Sequence, residues 1–395
     1  MHALTGAFLM NNQSYNIVYC TPALYSAGGT ERAVTFKANF FADVLGYHVT
    51  IIVTEGNGRN SFFPLSEKVK VVNFALGFED IWNISFFKKV WLYLMKQKKY
   101  RKLLKNELLS IKPDITITTL RREVNFLDKI GDGSCKVGEL HLSRDNYRGI
   151  ERRKNNYIVS LFYKWWKKKI VRQLQGLDKI VLLTKCAAQE WPELNNIRVI
   201  PDPLPLNVLK YSSLYHKRII TVGRYSFEKG YDLLLRAWSM IEKECDDWEL
   251  DVYGMGDPTP YVKIMDELSI DPRRCRLNSS IVNVEKEYLK SSILVQPSRT
   301  EGFGLVLIEA MSCGVPVISF DCENGPRSII TDGVDGFLIP PFDIEAFAEK
   351  VVLLMKDGDL RKQMGEEARK STAKYDIDTV GSQWKQLFDE LMKKI

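Results

Sequence analysis

Ile293-Leu294-Val295-Gln296-Pro297-Ser298-Arg299-Thr300-Glu301-Gly302-Phe303-Gly304-Leu305-Val306-Leu307-Ile308-Glu309-Ala310-Met311-Ser312-Cys313-Gly314-Val315-Pro316-Val317-Ile318-Ser319-Phe320 is the stretch that decides the fold. Its first residues are a short apolar run stopped by Pro297, which reads as a buried strand, and Pro316–Phe320 reads as a second. Between them the spacing predicts a helix over 304–313, with Gly314 as its C-terminal cap. Glu301, Gly302, Phe303 and Gly304 then form the loop where a strand hands over to a helix. In an open α/β sheet, ligands bind at such loops. The glycines let backbone N–H groups approach an anion at the helix N-terminus, which the helix dipole also favours. Glu301 precedes the helix and Glu309 lies about two turns inside it, so one carboxylate can face a ligand at the loop while the other reaches it from the flank.

The rest of the chain repeats this grammar. Lys217–Arg224 reads as a strand, followed by Tyr225-Ser226-Phe227-Glu228-Lys229-Gly230 and a helix over 231–245. Trp248–Gly254 and Cys275–Ser280 read as further strands. Upstream, Pro201, Pro203 and Pro205 mark a linker and place a domain boundary near 201–215. Before the linker, Asn16–Cys20 reads as a strand leading through Gly28-Gly29 into a helix that ends near Leu45, the first βα turn of a Rossmann-like domain. Strands are expected at 48–54, 69–74, 114–119 and 135–141, with Asp178–Thr184 as the last of that domain.

At 395 residues the chain suits two or three domains. It has no apolar run near the roughly 18 residues of a membrane-spanning helix. Met1–Ser14 lacks Lys and Arg and reads as a loose leader. Seven scattered cysteines without a CxxC pair point to reduced thiols and a cytoplasmic address, and show no metal-ligand spacing. The net charge of +7 is uneven: residues 1–200 hold 31 Lys and Arg against 17 Asp and Glu. Such a basic half suits an anionic partner. Eight of its cations fall between Lys88 and Lys105 with no acid, among Trp91, Tyr93 and Tyr100. Nine more fall between Tyr147 and Arg172 with one acid, around Trp165, Trp166, Lys167, Lys168 and Lys169. Basic side chains interleaved with Trp and Tyr suit an anionic membrane surface; the alternative is a core-packed amphipathic helix with a solvated face. Nucleic acid would require a recognition motif, and none is present.

The Glu-x7-Glu pattern of Glu301 and Glu309 around Gly-Phe-Gly, with Pro297-Ser298 before it and Ser312-x-Gly314-x-Pro316-Val317 after it, resembles the signature of retaining glycosyltransferases of family 4. The resemblance spans roughly residues 15–390 and is most specific over 218–341. It implies the GT-B fold: two Rossmann-like α/β domains facing a cleft, residues 15–205 and 215–376, with the last helix (377–395) crossing back to the first. It implies that Glu301 contacts the donor sugar and Glu309 accepts hydrogen bonds from the nucleotide ribose. Gly223-Arg224-x4-Lys229-Gly230 resembles the family's diphosphate clamp, with Gly302, Phe303, Gly304 and Leu305 beside it. Gly28 and Gly29 would face the donor phosphates and the acceptor, and Ser279 would end a strand near the base, at a point where many relatives carry Gly. His141 is either a cleft-facing group, as in family members, or a hydrogen-bonded loop histidine. Arg144, in a polar loop, could touch an acceptor. In the front-face mechanism proposed for such enzymes the leaving phosphate oxygen takes the acceptor's proton. No metal or other cofactor is then expected, since Arg224, Lys229 and a helix N-terminus would stabilise the diphosphate.

The expected function is therefore sugar transfer from a UDP- or GDP-sugar to a lipid-linked saccharide in surface-polysaccharide or O-antigen synthesis, at the cytoplasmic membrane face. Alternatives are transfer to a soluble small acceptor and a non-catalytic nucleotide-sugar-binding or assembly protein. An oxidoreductase is disfavoured, because no Gly-x-Gly-x-x-Gly follows the first strand.

Overall fold

The computed structural model describes residues 14–81, 85–144, 146–147, 157–322 and 324–393. Most of the expected leader, Asp145 and the 148–156 part of the second basic segment lie outside them. The first sheet comprises β1 (Asn16–Thr21), β2 (His48–Val53), β3 (Val69–Asn73), β4 (Ile115–Thr118), β5 (Cys135–Leu140), β6 (Lys179–Leu182) and β7 (Ile197–Val199). Its helices are α1 (Gly29–Asp43), α2 (Phe86–Ile111), α3 (Tyr157–Gln175) and α4 (Lys185–Gln189). The second sheet comprises β8 (Arg218–Val222), β9 (Glu249–Gly254), β10 (Cys275–Ser279), β11 (Ile293–Gln296), β12 (Val317–Phe320) and β13 (Gly336–Ile339). With it run α5 (Tyr231–Ile241), α6 (Thr259–Glu267), α7 (Glu285–Leu289), α8 (Leu305–Ser312), α9 (Gly325–Ile329), α10 (Ile344–Lys356), α11 (Gly358–Ser371) and α12 (Ile377–Met392).

Both sheets are parallel throughout, in the orders β3-β2-β1-β4-β5-β6-β7 and β10-β9-β8-β11-β12-β13. Strands buried on both faces must be apolar on both, and successive side chains turn to opposite faces. Ile17 and Tyr19 accordingly join a core with α1 and α12, while Val18 and Cys20 join a second core with α2 and α3. Each order reverses direction once, between β1 and β4 and between β8 and β11. These are the switch points at which open α/β sheets hold ligands, outside the carboxyl ends of the strands.

The last helix, α12, buries Trp384, Leu387 and Phe388 in the core of the first sheet. Trp384 and Phe388 meet Phe41 of α1 edge-on, with ring centroids 6.1 and 5.4 Å apart. Gly381 permits the approach, since a Cβ there would lie 2.1 Å from the Phe40 ring. One expectation is corrected: Asp178–Thr184 is not the final strand of the first sheet. β7 adds parallel to β6. It is a three-residue, half-buried edge strand, too short to show a period before the proline-rich linker.

Candidate active site

Because β8 and β11 are neighbours, the loops that follow them lie side by side. Gly230 makes the approach possible. It has φ +66°, and a Cβ would lie 2.0 Å from the Pro297 carbonyl oxygen. Arg299 joins the loops. Its backbone N–H donates to the Glu228 carbonyl at 2.8 Å, and its guanidinium grips Asp232 through two bonds of 2.7 Å. It also lies 4.0 Å over the Phe227 ring. The turn carrying Lys229 is thereby fixed to the loop carrying Glu301.

Glu301 is buried, and its Oε1 accepts hydrogen bonds from Lys229 Nζ and Ser298 Oγ, each at 2.6 Å, and from Gln296 Nε2. Burial alone would raise its pKa, but the Lys229 charge and these three donors hold it below the usual carboxylate value. The backbone of Glu301 bridges to Asn324, which has φ +77°, an uncommon conformation for a residue with a Cβ. Among the described residues, Gln296 Oε1 and Asn324 Nδ2 are buried without a hydrogen-bond partner. Polar groups in such a position are satisfied in nearly all proteins by protein, water or ligand. Gly304 (φ +104°) caps the N-terminus of α8, so the helix dipole points at the same loop. Arg224 is exposed and, among the described residues, has no hydrogen bond or ion pair.

The first domain closes on this loop from the other side. A Cβ on Gly302 would lie 2.0 Å from the His141 carbonyl oxygen, so the two backbones touch there. Asn146 Nδ2 donates to Thr300 Oγ1 at 2.9 Å, and Ser143 and Thr300 share a hydroxyl contact of 3.2 Å. A Cβ on Gly29, at the start of α1, would lie 3.6 Å from Leu305. Three residues further along α1, Arg32 Nη1 reaches Glu309 Oε1 at 2.9 Å. Tyr288 donates its hydroxyl to the other oxygen of Glu309 at 3.0 Å. Burial raises the Glu309 pKa, and Arg32 and Tyr288 offset part of that rise. The two glutamates thus have opposite settings, one carboxylate held ionised beside Lys229 and one buried deep under Arg32.

His141 belongs to a buried four-residue cluster beneath this contact. Its Nδ1 lies 3.3 Å from Asp202 Oδ2, and its Nε2 lies at the ion-pair distance of 3.4 Å from Glu139 Oε1. Lys37 Nζ donates to Glu139 and, at 3.2 Å, to Asp202. Burial works against a charged imidazole, but Asp202 and Glu139 together push its pKa up to about 9. Asp202, which burial would raise, is held down to about 2 by His141 and Lys37. Glu139, His141 and Asp202 each offer a ligand atom within 4.8 Å of the others; Lys37 already supplies the cation between the two carboxylates. The cluster ties the start of the linker, at Asp202, to α1 and β5.

Lys229, Glu301, Gly302, Gly304, Leu305, Glu309, Gly28 and Gly29 therefore converge, and His141 joins them through its backbone. Phe303 turns its ring away, into contact with Tyr375 at 5.5 Å, so only its backbone faces the loop. Ser279 is exposed at the end of β10, two strands from β8. Arg144 is buried, bonded to Glu193 at 2.8 and 3.0 Å, and lies 4.8 Å over the Trp191 ring; this environment fixes the loop. Trp165, Lys168 and Lys169 lie on the exposed side of α3, whereas Trp166 packs on the core and Lys167 lies 3.8 Å from Glu193. Sequence reasoning gave no role to Arg32, Tyr288, Gln296 or Asn324. Arg32 had one visible signal, its place in Gly28-Gly29-Thr30-Glu31-Arg32 at a switch-point helix.

Residues 214–371 match the family model described as Glycosyl transferases group 1. This match, with the relatives that follow, supports a glycosyltransferase. An uncharacterized glycosyltransferase of Haemophilus influenzae is 29% identical over 375 residues, covering 91% of this chain and 96% of the relative. The amylovoran biosynthesis glycosyltransferase AmsD of Erwinia amylovora is 30% identical over 228 residues, 54% of this chain and 62% of AmsD. Among solved structures, a mutant of S. aureus TarM in complex with fondaparinux, alpha-GlcNAc-glycerol and UDP superposes with a TM-score of 0.77 at 16% identity. That match covers 95% of this chain and 99% of TarM. The fold is that of GT-B glycosyltransferases.

Proposed function

We propose that the chain is a retaining glycosyltransferase of the family 4 kind. It moves a sugar from a UDP- or GDP-sugar to a lipid-linked saccharide during surface-polysaccharide or O-antigen synthesis. The observation that carries this reading is the meeting of two switch-point loops on one ionised, buried carboxylate, Glu301, with Lys229 bonded to it and Arg224 exposed on the same loop. The Gln296 and Asn324 groups beside Glu301, without a partner among the described residues, are suited to sugar hydroxyls. Relatives named as an amylovoran biosynthesis glycosyltransferase and a poly(glycerol-phosphate) alpha-glucosyltransferase support the polymer setting, and the UDP in the TarM complex supports a nucleotide donor.

In this reading Arg224, Lys229 and the N-termini of α5 and α8 hold the diphosphate without a metal ion. The bond between the anomeric carbon and the phosphate oxygen breaks as the acceptor hydroxyl attacks from the same face. The acceptor proton passes to that phosphate oxygen, which leaves as the nucleoside diphosphate. Glu301 stabilises the positive charge on the sugar. Glu309 receives the ribose hydroxyls in exchange for Arg32, Ser279 lies towards the base, and Gly28-Gly29 faces the phosphates. In this reading the protein works at the cytoplasmic membrane face, because the basic side chains of α2 and α3 suit anionic lipid; no described helix is long and apolar enough to cross a membrane. Nucleotide release from a panel of UDP- and GDP-sugars tests the reading. Release should depend on one donor and rise with acceptor. Silence across the panel, with and without lipid-linked acceptor, contradicts it.

A further inference from the structure

α2 is unusual for the number of large apolar side chains it leaves in water. Phe86 is 72% exposed, Phe87 85%, Trp91 61% and Leu94 60%, with Val90 and Met95 also exposed. All six fall in the first three turns of one helix, a contiguous patch of the kind that marks an interaction surface. The buried side of α2 is carried by other residues: Tyr100, Leu104 and Leu108 enter the core, and Tyr93 packs against it.

The exposed side changes character along the helix. At 100° per residue, Phe87, Val90, Trp91 and Leu94 share an arc of about 120° with Lys98, Arg101, Lys102 and Lys105. All eight are exposed. One stripe thus begins apolar and ends cationic, and residues 88–105 contain no acid to balance it.

The apolar end also lies at a particular edge of the domain. Lys96 donates to the Gly77 carbonyl at 2.8 Å, in the loop after β3. Gln97 donates to the Arg122 carbonyl at 3.4 Å, in the loop after β4. Those loops leave the carboxyl ends of their strands, the same edge that carries Gly28-Gly29 and faces Glu301. The cationic half of α2 runs away from that edge towards the start of β4.

We infer that the first three turns of α2 are a membrane-insertion surface. Their apolar side chains enter an anionic bilayer, the following Lys and Arg residues meet its head groups, and the mouth of the cleft is set on the lipid surface. An interfacial helix has this combination of apolar, aromatic and cationic side chains. Charge decides the occupant. A second copy of the chain would bring the same unbalanced cations against these, whereas anionic head groups attract them. The inference deepens the membrane part of the proposed function and rests on it.

The test is flotation of the full chain with vesicles of mixed phosphatidylglycerol and phosphatidylcholine, and with phosphatidylcholine alone. The wild type should bind the anionic vesicles. A variant with Phe87→Ser, Trp91→Ser and Leu94→Ser should lose at least about tenfold in binding, with its thermal unfolding unchanged because all three side chains are in water. Changing Lys98, Arg101, Lys102 and Lys105 to Gln should abolish the preference for anionic lipid. Nucleotide release to a water-soluble acceptor should match the wild type in both variants. Failure of the wild type to bind vesicles overturns the inference, as does undiminished binding by the triple-Ser variant. So does a wild-type dimer that the triple-Ser variant makes monomeric. Vesicle binding without nucleotide release from any donor sustains this surface and overturns the proposed activity instead.

Discussion

Replacing Lys229 by Met removes one charge from a buried pair and keeps the length of the side chain. Glu301 would then keep only the neutral donors Ser298 and Gln296. Breaking a fully buried ion pair from one side costs about 3–5 kcal/mol, because the partner charge stays buried and uncompensated. The Lys229 side chain is 20% exposed and that of Glu301 10%, so water takes up part of the loss; about 2 kcal/mol of unfolding free energy is expected at pH 7.5. The sign of the pH dependence identifies the cause. In the wild type the Glu301 pKa is held below its ordinary 4.5. Its contribution to stability is therefore complete above that value and is lost only as pH falls below it. Without Lys229, burial dominates and the folded-state pKa moves upward, so the variant recovers stability as pH falls from 7.5 towards 5, while the wild type does not. Urea unfolding at both pH values measures the gap. In parallel, kcat/KM should fall by about 30- to 1000-fold, equivalent to losing about 2–4 kcal/mol of transition-state stabilisation. Arg224→Ala, at an exposed residue with no hydrogen bond or ion pair among the described residues, should lose comparable activity with no change in stability. A pH-independent gap, or a Lys229→Met enzyme within about threefold of wild type, refutes the reasoning.

Three further outcomes follow from the same geometry. Glu301→Gln should lower kcat, since it removes a charge that matters most as the sugar becomes cationic, whereas Glu309→Gln should mainly raise KM by losing uniform ribose binding; identical kinetic signatures would mean the roles are not separable. Gly302→Ala puts a methyl group 2.0 Å from the His141 carbonyl oxygen, so the domains should stay further apart, with a larger radius of gyration in X-ray scattering and a reduced kcat/KM; unchanged values of both would refute the closure. Raising the His141 pKa from 6.5 to about 9 stabilises the fold by about 3 kcal/mol below the unfolded value, and this is lost as pH rises through about 9. The stability difference between wild type and His141→Gln should therefore shrink between pH 7 and 10, and a constant difference would contradict a charged imidazole.

Much of this was legible in the sequence because the informative features are local. The strand, loop and helix around Glu301 lie within thirty residues, and each turn is punctuated by Gly or Pro. The features that were not legible depend on partners far away in the chain. Lys37, Glu139, His141 and Asp202 come together only when α1, β5 and the linker pack, and no spacing announces them. Arg32 acquires its contact from Glu309, in the opposite domain. Phe303 and Arg144 were assigned outward roles from their loops, but the packing turns Phe303 onto Tyr375 and Arg144 onto Trp191 and Glu193. The basic aromatic composition of α2 was plain, but which aromatics face water was not: Tyr93 and Tyr100 pack inward while Phe87 and Trp91 do not.

The central claim is that the facing loops transfer a sugar from a nucleotide donor on the face from which the leaving group departs. The most direct measurement is the anomeric configuration of the product, read by NMR after incubating the purified chain with its active donor and an acceptor. The account predicts a new glycosidic linkage with the same anomeric configuration as the donor, and none from Glu301→Gln at comparable enzyme and time. An inverted linkage, or full transfer by Glu301→Gln, would contradict it.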